Sequence, residues 1–183
     1  MNELTQPLAL ALALRAVIGA ASKDASRPGL NGVQIRHVGF VVTVTATDGW
    51  RAHRVSYDAQ TEANWEFLFP VPSVPAKATA VVDCGSLIVT SGNAKSSYLP
   101  VQATFPRVDG IVPSKATGCD GNRATGFNPS LFASVLKSAE LLNKQVRVHT
   151  GISAIEPWVI ASVSSEFSEL NMSFDGLLMP MRL

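Results

Sequence analysis

The sequence has little of what most protein chemistry uses. Cysteine occurs twice in 183 residues and histidine three times. Cys84 and Cys119 lack CxxC spacing, and His37, His53 and His149 form no ligand-like cluster with them. That excludes a metal centre and a disulfide framework as organising principles, and the thiols are expected reduced and buried in a cytoplasmic protein. Charge of one sign is also missing. Fifteen Lys and Arg against fourteen Asp and Glu leave a formal net charge of +1, which is not the footprint of a chain coated in nucleic acid, although a locally basic face remains compatible with it. The apolar run from Leu8 to Ala21 is interrupted by Arg15, preceded by Glu3 and too short to span a bilayer. It is neither a membrane segment nor a secretion signal. Catalytic motifs are absent as well: Ser91-Gly92-Asn93-Ala94-Lys95-Ser96 lacks the spacing of a phosphate loop, no serine sits in a GxSxG elbow, and Asp48 and Asp83 are not paired for acid–base work. The chain reads as a non-enzyme without cofactor or metal.

What is there is an ordinary globular chain, 46% hydrophobic and 16% charged, long enough for a real core. Residues 7–22 alternate Leu and Ala with a period of two. Both are strong helix formers and Pro7 suits a first turn, so the segment reads as a helix whose small Ala face allows close packing. Three strands follow, Val33 to Val38, Phe40 to Ala46 and Arg51 to Ser56, then a polar link from Asp58 to Asn64. The proline-rich stretch from Trp65 to Pro75 excludes a helix. Strands are expected at Thr79 to Cys84, Ser86 to Thr90 and Ser96 to Thr104.

Ser114 to Asn122, rich in Ser, Gly, Lys and Asp, is the best linker, dividing the chain into domains 1–113 and 114–183. Beyond it come a short strand at Thr125 to Asn128 and a helix capped by Asn128, opened by Pro129 and striped by Leu131, Phe132, Val135, Leu136, Ala139 and Leu142. Strands at Gln145 to His149 and Ile155 to Val163 lead to the apolar tail Leu177-Leu178-Met179-Pro180-Met181-Arg182-Leu183. Seven such residues ask for a groove to hold them, either as a last strand entering the core or as part of a recognition pocket, since Met suits surfaces that accept varied apolar partners.

The order strand, helix, strand, strand, strand recurs. Combined with four local stretches, it resembles the bacterial DNA polymerase III beta subunit, the sliding clamp family. Arg27-Pro28-Gly29-Leu30-Asn31-Gly32-Val33 followed by Ala46-Thr47-Asp48-Gly49-Trp50-Arg51 resembles the family's middle domain. Phe105-Pro106 up to Pro113 resembles the junction to its third domain, and Gly126-Phe127-Asn128 with Met179-Pro180-Met181-Arg182-Leu183 resembles the close of that domain. The resemblance implies an α+β DNA clamp fold of βαβββ units, with two helices packed against antiparallel sheets. It also implies a shortened member, with the first domain absent, the second helix of the middle domain lost, and only the C-terminal half of the third kept.

The family takes short linear peptides in a hydrophobic pocket between its second and third domains. Carried over, the pocket walls are Leu30, Thr47, Gly49, Trp50, Arg51, Pro106 and Ile111 on one side and Leu177, Met179, Pro180, Met181 and Arg182 on the other. Trp50 is larger than usual there, and Gly110 stands where a basic side chain is common. Double-stranded DNA, held without reading its sequence, would meet Arg15, Lys23, Arg27, Lys137 and Lys144. The implied function is a homo-oligomeric processivity factor of DNA replication that tethers a polymerase, clamp loader or other peptide-bearing partner to DNA. The alternative is a non-encircling peptide-binding module that competes with or regulates a resident clamp.

Overall fold

A computed structural model describes residues 6–109, 127–149, 158–164 and 166–179. The chain opens with helix α1, Pro7–Val17, continued by one 3-10 turn, Ile18–Ala20. Strand β1, Gly32–Thr47, and strand β2, Arg51–Pro70, form a long antiparallel hairpin. Strands β3 (Thr79–Asp83), β4 (Ser86–Ser91) and β5 (Ala94–Tyr98) form a separate meander. Helix α2, Pro129–Glu140, precedes β6 (Arg147–His149), β7 (Trp158–Val163) and β8 (Ser173–Leu178). The larger sheet runs β1-β2-β8-β7-β6, so strands from both sides of the 114–122 stretch share one hydrogen-bonded sheet. Two helices against antiparallel sheets is the α+β architecture expected. Among the described residues, no helix is long and apolar enough to cross a membrane.

Helix α1 forms the centre. Ala9, Leu10, Ala11, Leu12, Ala13, Leu14, Ala16 and Val17 are all buried, because the helix touches β1 and β2 of one sheet, β3 of the other, and α2. A helix buried on nearly every side needs no amphipathic period, which is why its alternating pattern does not make it a strand. Its small alanines permit the close approach. The same core takes in Val33, Ile35, Val42, Val44, Val55, Tyr57 and Phe69 from the hairpin, and Ala80, Val82, Leu87 and Val89 from the meander. Helix α2 is capped as its sequence predicts: the Asn128 side chain accepts the Ser130 and Leu131 amides, and Val135, Ala139 and Leu142 enter the same core.

Several expectations are corrected. The first two strands are one, β1, with an irregularity between Gly39 and Val41. The polar stretch from Asp58 to Asn64 is not a link but lies inside β2. Val41 faces Asp58 and Val38 faces Asn64 across the ladder, and Asp58 is further engaged through its carbonyl by Gln6 and through its carboxylate by Asn171. The third meander strand stops at Tyr98 rather than Thr104. Cys84 is exposed, not buried, because it sits with Gly85 in the two-residue turn between β3 and β4. Both residues have positive φ, 48° and 78°, as tight hairpin turns require. Cys119 and the start of the strand expected at Thr125 lie outside the described residues.

Candidate functional site

The turn between β1 and β2 is built by its own side chains. The Thr47 hydroxyl donates to the Arg51 carbonyl at 2.6 Å and accepts the Gly49 amide at 3.1 Å. Asp48 Oδ1 accepts the amides of Trp50 and Arg51 at 2.9 and 3.0 Å. Gly49 has φ 93°, a conformation that L side chains rarely adopt, so glycine is required there. The outcome is a rigid tip that pushes Trp50 outward, 69% exposed.

Arg51 points the other way. Its Nε meets Asp48 Oδ2 at 3.1 Å, one Nη donates to the Ser134 hydroxyl on α2, and the other donates to the Gly19 carbonyl at 2.7 Å. The guanidinium thus ties the turn to the middle of α2 and to the end of the α1 segment, whose carbonyl-rich terminus its charge suits. Just inside, His53 is fully buried against Phe174, with Nδ1 3.1 Å from the Ala16 carbonyl. Burial lowers its pKa to about 4, more than the hydrogen bond to Ala16 offsets.

The other stretch expected to line the pocket arrives by strand pairing. Strand β8 lies between β2 and β7, with Leu178 opposite Arg51 and Leu177 opposite Ala52. One residue further, the Met179 amide donates to the Trp50 carbonyl at 3.0 Å. The start of the tail is therefore the immediate neighbour of the turn. Leu177 is only 4% exposed, in a small second core on the outer face of the sheet with Ala52, Leu68, Val159, Phe105 and Val108.

The connecting segment 99–109 supplies the last two of these. Its start is fixed by the Val101 amide on the Leu68 carbonyl at 2.7 Å. It also runs hard against the loop that carries Leu30: a Cβ added to Gly29 would stand 2.2 Å from the Thr104 carbonyl oxygen, so only glycine lets the two backbones meet. Leu30 itself is held by a bond from the Ser22 amide to its carbonyl, 2.9 Å.

Of the residues expected to line the pocket, the structure thus brings together the Leu30 loop, the Thr47–Arg51 turn, the Pro106 segment and the Leu177–Met179 end of β8. Trp50 and Pro106 are exposed, Leu30 and Met179 half-buried, and Thr47 and Leu177 buried. Ile111, Pro180, Met181 and Arg182 lie outside the described residues. Among the basic residues expected to meet DNA, Arg15 is half-buried and donates to the Ala76 carbonyl at 3.0 Å. Lys23, Arg27, Lys137 and Lys144 are exposed, with Arg27 3.9 Å from Asp24. Among the described residues, no group of acidic, His or Cys side chains could hold a metal ion.

Sequence reasoning missed an ion-pair chain on the outer face. Asp109 accepts from Arg36 at 2.6 Å and Arg54 at 3.3 Å, and Arg54 reaches Asp175 at 2.7 Å. Arg36 and Arg54, each next to a β-branched residue on its strand, carried a signal for an outward face, but their common partner is far away in sequence.

No family model and no curated protein matches the sequence. Solved structures do. The DNA polymerase III beta subunit of Thermotoga maritima superposes with a TM-score of 0.69 at 17% identity over 99% of this chain and 65% of that one. The DNA polymerase III subunit beta of Pseudomonas aeruginosa gives 0.73 at 15% identity over 99% and 66%, and a putative beta subunit from Eubacterium rectale gives 0.70 at 11% over 100% and 66%. This chain thus spans just under two thirds of the length of each. Over its described residues, it has the fold of the DNA polymerase III beta subunit, the sliding clamp.

Proposed function

We propose that this protein is a sliding-clamp-like scaffold whose site between the Thr47–Arg51 turn and the β8 tail binds linear peptides of a polymerase, a clamp loader or another replication partner. As a homo-oligomer it tethers that partner to double-stranded DNA. The observation that carries the reading is the Met179–Trp50 backbone bond, which sets the apolar end of β8 edge to edge with an exposed tryptophan. A preformed concavity with apolar walls and a few fixed polar groups is the usual character of such peptide sites. Ile111, Pro180, Met181 and Arg182 belong to the same proposed pocket, and Lys23, Arg27, Lys137 and Lys144 to the proposed DNA-facing surface.

A second reading has its own support. Arg15 is the one charged side chain on α1 and it is bonded to the Ala76 carbonyl, while nearly all the rest of that helix is buried. A helix that offers phosphates so little favours a non-encircling module that binds the same peptides and regulates or competes with a resident clamp.

One experiment addresses both. A fluorescein-labelled short peptide ending in Leu-Phe, two bulky apolar side chains, is titrated against the protein and against Trp50→Ala and Met181→Ala. The pocket predicts saturable binding that both variants weaken; unchanged affinity in both would remove it. Retention on closed circular DNA with loss on linearisation supports the encircling scaffold, whereas equal release from both supports the non-encircling module.

A further inference from the structure

The connecting segment 99–109 is held unevenly. Val101 anchors its start, and Phe105 and Val108 plug the second core, but alongside it a cleft of about 820 Å³ opens between the segment and β1, lined by Gln34, Arg36, Glu66 and residues 103–109. Packing does not fix the segment against β1 along its length. At its far end the hold is electrostatic. Both oxygens of Asp109 are used, Oδ2 by Arg36 of β1 at 2.6 Å and Oδ1 by Arg54 of β2 at 3.3 Å. Arg54 is in turn oriented by Asp175 of β8, its cross-strand neighbour, at 2.7 Å.

Such a chain contributes little to global stability, since Arg36 and Asp109 are 42% and 58% exposed and water screens them. Its effect is geometric: it sets where the segment leaves the sheet, three residues after Pro106 and two before Ile111. We propose that Asp109 is a positioning residue for the peptide site. Its double ion pair holds the connecting segment at the distance from the Trp50 turn at which an incoming apolar side chain is gripped from both sides. This inference rests on the peptide-pocket reading. Without the clamp, a bound peptide must order the segment itself, at the entropic cost that preorganised sites avoid.

The test measures affinity for the same labelled Leu-Phe peptide at low and high salt, together with amide hydrogen exchange across 101–109, in the wild type, Asp109→Asn, Asp109→Glu and Arg36→Gln. Asp109→Asn is expected to weaken binding about fivefold at low salt and to speed exchange in 103–109, with the melting temperature nearly unchanged. Asp109→Glu restores most of the affinity, and Arg36→Gln shows the same effect in smaller measure. Because the ion pairs are exposed, high salt should narrow the gap between the wild type and Asp109→Asn. Wild-type affinity and wild-type exchange in Asp109→Asn would overturn the inference while leaving the pocket standing. A wild-type protein that does not bind the peptide at all would instead remove the pocket reading, and with it the role given to Asp109.

Discussion

The Met179 amide donates to the Trp50 carbonyl at 3.0 Å, continuing the ladder between β8 and β2 one step past its last regular pair, Leu178 with Arg51. Through that step, two stretches far apart in sequence become one surface, and the side chains on either side of it take different work.

Leu177 and Trp50 separate those roles. Leu177 is enclosed by Ala52, Phe105 and Val108, so Leu177→Ala removes buried contacts and leaves a cavity under the connecting segment. The expected loss is about 2–4 kcal/mol of unfolding free energy, measured by urea denaturation. Trp50 faces solvent from a turn that is bonded without its side chain. Trp50→Ala should therefore shift stability by about 0.5 kcal/mol or less while weakening peptide binding. A large stability loss on Trp50→Ala would show that the indole is a packing group.

Gly176 fixes the approach of α2 to the sheet. A Cβ there would lie 2.1 Å from Val135 Cγ1 and 2.9 Å from the Phe174 ring, in the core and with little room to give. Gly176→Ala is expected to cost about 1–3 kcal/mol. In the double variant Gly176→Ala with Val135→Ala, the loss should be smaller than the sum of the two singles, because the second change removes the clash. Simple additivity by thermal or urea unfolding would sink this account.

Arg51 makes three contacts that a lysine cannot reproduce. Its fork reaches Asp48, Ser134 and the Gly19 carbonyl from a side chain that is largely buried. Arg51→Ala leaves those groups without their donor and should cost about 2–3 kcal/mol. Arg51→Lys should recover less than half of that, since an ammonium cannot present the planar fork. Full recovery in the lysine variant would mean that charge alone matters at this position.

How much of this was legible in the sequence depends on whether the determinant was local. Helix α2 was, because Asn128 and Pro129 specify its start by bonds within three residues. Helix α1 was legible through propensity, although its period of two pointed to a strand, since burial on nearly every side erases the usual stripe. The length of β2 was not. Asp58 to Asn64 reads as a link by composition, yet Gln6, Asn171 and the facing β1 residues give its polar groups partners that only the fold supplies. Cys84 was expected inside by residue type, and the two-residue turn decided otherwise. Trp50 and Met179 were placed on opposite walls of one pocket by resemblance alone, their backbone pairing was not foreseen, and Asp109, whose partners are more than fifty residues away, gave no local sign of its ion pairs.

His53 makes stability depend on pH in a direction that can be stated. Folded, it is buried beneath the turn, with Phe174 against its ring and Arg51 near enough to oppose a second positive charge, so its pKa falls from 6.5 to about 4. Its Nδ1–H donates to the Ala16 carbonyl, which favours the charged form but less than burial opposes it. The unfolded chain therefore binds a proton that the folded one refuses. Above pH 6.5 neither form is charged and the full stability is present; as pH falls from 6.5 toward 4, stability should drop, by about 3 kcal/mol in total. Urea midpoints across that window should fall steadily in the wild type, whereas His53→Phe, which keeps an aromatic ring beside Phe174 but cannot titrate, should flatten the slope by roughly that amount even if it lowers the plateau. A variant slope as steep as the wild type's would assign the pH dependence to other groups and leave His53 as a packing residue.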